Sequence, residues 1–124
     1  MKEEIAQRWV QALRSGEYKQ GKSVLRLDEE YCCLGVLCSL AFKEDPSLGK
    51  WELAPDSCIY TASTTFDHTN TDVPVSVREW AGLKERQGQF SKGEDPSPSL
   101  TVRNDRGDTF EEIAQVIEEN WSKL

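Results

Sequence analysis

Apolar residues recur at helical spacing near both ends of the chain and once in between. In the first segment Ile5, Trp9, Val10 and Leu13 share one face, with Ala6 and Ala12 beside them. That 3.6-residue period predicts an amphipathic helix, and Gly16 after the last periodic residue reads as its stop. A polar loop follows, Glu17-Tyr18-Lys19-Gln20-Gly21-Lys22. Ser23 to Leu27 reads as a strand, Asp28-Glu29-Glu30 as an acidic turn, and Tyr31-Cys32 as a second strand closing a small hairpin. From Cys33 to Phe42 the pattern is helical again, but apolar on nearly every face. Such a helix is a buried, central one. Gly35 inside it costs about 1 kcal/mol relative to Ala, which predicts that another element approaches closely there.

The later chain is more broken. Lys43 to Lys50 contains Asp45-Pro46 and Gly49 and reads as a loop. Cys58 to Thr61 and Thr64 to Phe66 have strand composition. Asp67 to Asp72 is turn-rich. Pro74 to Ala81 predicts a short helix presenting Val77 and Trp80, stopped by Gly82. Lys84 to Pro98, polar and rich in Gly and Pro, predicts an exposed loop. Leu100 to Val102 is a short apolar stretch, and Asn104-Asp105-Arg106-Gly107 reads as a turn. The last helix carries Phe110, Ile113, Ala114, Ile117 and Trp121 on one face. Thr109 and Glu112 have the spacing of a capping box, and Asp108, Glu111 and Glu112 suit the positive end of its dipole.

These elements predict an α+β architecture over a single domain, 1–124. Three main helices (N-terminal, central and C-terminal) pack with a small antiparallel sheet. No internal repeat is visible. At 124 residues the chain has room for one core.

Composition narrows the function. The formal charge is −7, which argues against non-specific nucleic-acid binding, because that needs basic surface and counterion release. No apolar run is long enough for a membrane span. The charged start Met1-Lys2-Glu3-Glu4 has no signal-peptide character, so the expectation is the cytoplasm with reduced thiols.

The four cysteines suggest metal or thiol chemistry, yet their setting argues otherwise. Cys33 and Cys38 lie five apart, rotated by about 140° on a helix, so they diverge instead of converging on zinc. Cys33 near a helix start has one property of a nucleophile, but its neighbours are apolar, and His68, the sole His, sits in a turn-rich segment. Core packing is the expected role. No metal and no cofactor are expected. Most carboxylates fall on solvated helix faces; Asp105 beside Asn104 stands apart, although the ordinary role of such a pair is to form a turn. Gln20-Gly21-Lys22 lacks both a Walker pattern and a following helix. Tyr18, Lys19, Gln20 and Lys22 still supply a ring, cations and an amide, a set that suits a nucleotide-like ligand as well as an ordinary solvated turn.

Three blocks carry a resemblance: Trp9 to Gly16 with Tyr18-Lys19-Gln20-Gly21; Tyr31-Cys32-Cys33-Leu34-Gly35-Val36-Leu37-Cys38; and Asn104-Asp105, Gly107 and Phe110 to Ala114 with Ile117-Glu118. Val73-Pro74 and Glu79 to Leu83 add to it. The pattern resembles a family of small proteins from bacteriophages and prophages, while Lys43 to Asp72 matches nothing in it. The resemblance implies a phage accessory protein acting in the host cytoplasm, in the class that counters host defence.

Three functions follow as expectations. In the first, a non-enzymatic binding protein sequesters a small anionic nucleotide-derived immune signal through Tyr18, Lys19, Gln20, Lys22, Arg103, Asn104 and Asp105. In the second, an acidic surface inhibits a host defence protein. In the third, a hydrolase of such a signal uses Asp105 or Cys33. A homo-oligomer is compatible with each.

Overall fold

A computed structural model of the chain describes residues 1–55, 57–90 and 98–124. Its described elements are α1 (Glu3–Arg14), β1 (Lys19–Gln20), β2 (Arg26–Leu27), β3 (Glu30–Tyr31), α2 (Cys33–Glu44), β4 (Lys50–Leu53), β5 (Ile59–Ser63), β6 (His68–Thr69), α3 (Val75–Ala81), α4 (Leu100–Asp105) and α5 (Phe110–Asn120). Short 3₁₀ turns cover Pro46–Leu48 and Trp121–Lys123. The fold is α+β.

The central helix is the hub. Cys33 to Cys38 are all buried, as are Ala41 and Phe42. α1 and α5 pack against each other, and α1, α3 and α4 each contact α2. Trp9, fully buried, donates its indole N–H to the Cys33 carbonyl at 2.9 Å, so burying this ring leaves no polar atom stranded. Gly35 has the close neighbour expected of it: a Cβ there would overlap the Leu25 carbonyl oxygen. That oxygen also accepts from the Cys32 N–H at 3.1 Å. The missing side chain lets the loop before β2 lie directly on the helix.

The sheet runs β1-β3-β2-β5-β4, with β6 pairing to β5. Every pair is antiparallel except β1 with β3, where Lys19 faces Glu30 and Gln20 faces Tyr31 in parallel register. The sheet is therefore mixed, because the loop after α1 returns along β3 and supplies an edge strand where a plain polar loop was expected. In the β2–β3 hairpin, Arg26 pairs opposite Tyr31 and Leu27 opposite Glu30. Ser23 lies outside the strand at φ +72°.

Three other expectations are corrected. Thr64 to Phe66 is a turn, since the Thr64 hydroxyl oxygen accepts from the Phe66 and Asp67 N–H groups and competes with strand pairing. His68–Thr69, within the stretch expected to be turns, forms β6. Leu100 to Asp105 is one short helix, capped by Ser99, whose hydroxyl accepts from the Val102 N–H. Asn104 and Asp105 are thus its last turn, and only Arg106-Gly107 turns.

The described start of the expected loop at 84–98 is also tied down. Leu100 N–H donates to the Gly88 carbonyl at 3.2 Å and Thr101 N–H to the Gln87 carbonyl at 3.3 Å. Gly88 is buried at φ +73° against Leu100. Residues 91–97 of that stretch lie outside the described residues.

Candidate functional site

The two polar loops flagged in the sequence meet. Gln20 donates through Nε2 to Asn104 Oδ1 at 3.0 Å and to the Asp108 carbonyl at 2.8 Å. Asn104 Nδ2 donates to the Gly21 carbonyl at 2.8 Å, and its Oδ1 also accepts from the Cys33 N–H at 3.2 Å. Asp105 accepts from the Ser23 N–H at 2.9 Å. Asn104 is fully buried, with both ends of its amide engaged. It ties three elements together: the β1 edge, the start of α2 and the end of α4. Its oxygen satisfies a backbone donor that the first turn of α2 would otherwise leave free.

The seven candidate residues therefore divide by duty. Gln20, Asn104 and Asp105 hold the junction closed. Tyr18 packs edge-on to Tyr31 with centroids 5.1 Å apart, and its hydroxyl accepts from the Lys43 ammonium at 3.0 Å. That hydrogen bond raises the pKa of Lys43. Lys19 sits 3.4 Å from Glu30. Lys22 is exposed, and its ammonium lies beside Gly107. Arg103 donates to the Pro98 carbonyl at 3.2 Å and sits over Phe90. Among the described residues neither Lys22 nor Arg103 forms an ion pair with a carboxylate, although the charge of Arg103 helps hold the Asp108 carboxyl low. Arg103 does border a shallow hollow of about 450 Å³ shared with Arg106, Asp108, Glu111 and Glu112, where acids outnumber bases.

The thiols are placed for packing. Burial pushes Cys32 up to about 11, and Cys33 and Cys38 well above the usual thiol range. A thiolate nucleophile needs the opposite shift. Cys58 is exposed. Among the described residues no group of three His, Cys, Asp or Glu side chains is arranged to hold a metal ion. Cys32 caps α2 instead, its sulfur accepting from the Gly35 N–H at 3.4 Å.

A second polar region escaped the sequence reading. His68, Thr69, Arg78 and Arg86 border a hollow of about 330 Å³ together with Asp67 and Asp72. His68 Nδ1 and the Ser63 hydroxyl are hydrogen-bonded at 2.7 Å. Both carboxylates are engaged: Asp67 with the Val75 N–H and the Thr64 hydroxyl, Asp72 with the Gln87 amide at 3.0 Å and Arg86 at 3.6 Å. Arg78 Nε is buried with no hydrogen-bond partner. No local sequence signal marks this region, because Arg78 stands on a helix recognised only by its apolar residues.

A small α+β protein emerges, its buried cysteine-rich helix flanked by two terminal helices and a mixed sheet. The chain belongs to the family described as a domain of unknown function, DUF8296, whose model matches residues 1–121. Comparison with curated proteins and with solved structures finds no match. Among the described residues no helix is long and apolar enough to cross a membrane.

Proposed function

We propose that this protein is a phage accessory protein that sequesters a small anionic, nucleotide-derived host immune signal in the host cytoplasm, by binding and without turnover. The observation that supports this reading is the junction itself. Two polar loops more than 80 residues apart are locked side by side through Gln20 and Asn104. The lock leaves the ring of Tyr18 and the cations Lys19, Lys22 and Arg103 on or beside backbone that is held in place. Gln20, Asn104 and Asp105 act as positioning residues in this reading. A preorganised loop loses less conformational entropy when it binds. On a chain of net charge −7, Lys22 and Arg103, without an ion pair among the described residues, are where an anion finds available charge, while Lys19 is shared with Glu30.

Calorimetry against a panel of cyclic dinucleotides and ADP-ribose-derived signals tests this. Heat is expected with at least one of them, weakened in Lys22→Gln and Arg103→Gln, with the ligand recovered intact by mass spectrometry. No heat from any member sinks the reading, and a cleaved product moves the protein to the hydrolases.

A second reading has its own support. α1 and α5 lie together and expose Glu3, Glu4, Glu111, Glu112, Glu118 and Glu119. That surface suits a basic host protein. Capture of such a protein from a bacterial lysate, lost as salt is raised, would favour it.

A further inference from the structure

We propose a second ligand site, separate from the loop junction: the hollow between β6 and α3 binds a phosphate group of a small molecule through Arg78, Arg86 and His68. The hollow, about 330 Å³, shares no bordering residue with the junction. Its volume is at the lower end of small-molecule sites, roughly 300–1,000 Å³.

The argument begins with charge. Arg8, Arg14, Arg26, Arg86 and Arg106 each hold a carboxylate. Arg78 holds none. One of its terminal nitrogens makes a long 3.3 Å bond to the Lys84 carbonyl, and its Nε has no partner. A guanidinium presents five donors in a planar fork that matches phosphate and carboxylate oxygens. Here Nε is closed off by the protein, so the terminal nitrogens, held among the described residues by that one long bond, are the donors a ligand in this concave setting would meet.

The neighbours complete the site. His68 is exposed and is tied to Ser63 through Nδ1, so Nε2 is the ring nitrogen a ligand would meet. Arg86, whose side chain is 63% exposed, is 3.6 Å from Asp72, a loose contact that a phosphate oxygen can displace. Asp72 would keep its 3.0 Å bond from Gln87. The oxygens of Asp67 are turned toward its own turn and toward the Val75 N–H. Both carboxylates border the hollow, but neither forms an ion pair with Arg78.

Inorganic pyrophosphate is the direct probe, read by NMR on the imidazole of the chain's one histidine. Saturable shifts of the His68 resonances are expected, weakened at least tenfold in both Arg78→Gln and Arg86→Gln and unchanged in Lys22→Gln. Arg86→Gln alters an exposed side chain, so it keeps the test open if Arg78→Gln does not fold. Static His68 resonances overturn the site, as do shifts that persist in both arginine variants. A response to citrate with none to pyrophosphate overturns the phosphate assignment. The outcome is independent of the junction reading, because a nucleotide signal lost in Lys22→Gln but kept in Arg78→Gln leaves that reading standing.

Discussion

The junction around Asn104 and the hollow around Arg78 are both polar, and both gather residues from separate elements. They differ in how their donors are spent. At the junction the Asn104 amide is bonded at both ends, and its partners are the backbone of β1's loop and of α2. At the hollow the carboxylates are engaged, but the Arg78 guanidinium has a buried Nε without a partner and one long bond to the Lys84 carbonyl. Satisfied buried polar groups specify a structure; under-satisfied ones at a concave surface retain the capacity to bind. The lesson is that a polar residue type does not announce its duty. Asn104 has the composition of a binding residue and works as a clasp, whereas Arg78 lies on an ordinary amphipathic helix and forms no ion pair among the described residues.

Substitutions test that contrast in descending order of effect. Asn104→Ala strands the Gly21 carbonyl and the Cys33 N–H and takes one of two bonds from the Gln20 amide, and is expected to cost about 3 kcal/mol or more in urea denaturation. A loss under about 1 kcal/mol would show that the clasp contributes little. Gly35→Ala places a Cβ on the Leu25 carbonyl. It is expected to destabilise by about 2 kcal/mol although alanine is the better helix former, and a neutral result would mean the loop can retreat. Arg78→Gln is expected to leave stability within about 0.5 kcal/mol, as for a side chain with no essential structural bond. A large loss would place Arg78 with Asn104 among the structural residues.

The smallest effect is in pH. Arg106 bonds Asp108 and holds its carboxyl below the usual range. Its folded pKa is depressed, so the contribution is present above the unfolded value of about 4 and is lost as pH falls through the folded value. Arg106 is half-exposed and solvent screens the pair, so the contribution is small. Asp108→Asn should slightly flatten the acid limb of the stability curve. An unchanged limb would leave the ion pair with no measurable role.

Much of the fold was legible because its signals are local. α1, α2, α3 and α5 announce themselves by periodicity, by the Thr109–Glu112 box and by Gly16 and Gly82. Gly35 foretold a close approach without naming Leu25 as the neighbour. α4 was missed because six residues are too few to show a period, and Arg103-Asn104-Asp105 has the composition of a turn. The parallel β1–β3 pair was missed because two-residue strands carry no alternation. Of the candidate site, the sequence indicated which two loops matter. It did not show that Gln20 and Asn104 face each other, since that depends on partners 84 positions apart. Nothing near His68 or Arg78 in the chain suggests that they share a hollow.

The Asn104 clasp also bears on how the chain is made. Its bonds to Gln20, Gly21 and Cys33 span 71 to 84 residues. At a synthesis rate of roughly 5–20 residues per second, Gln20 exists for about 4–17 s before Asn104 is added. During that interval the α1–α2 half has no partner for the first backbone donor of its central helix, and its β1 edge lacks the amide that fixes it. Contacts of such separation close late and slow folding. Premature release or truncation before α4 would therefore leave a sticky fragment with an open edge and an apolar helix whose first N–H is unmet, the kind of species that chaperones hold and proteases clear.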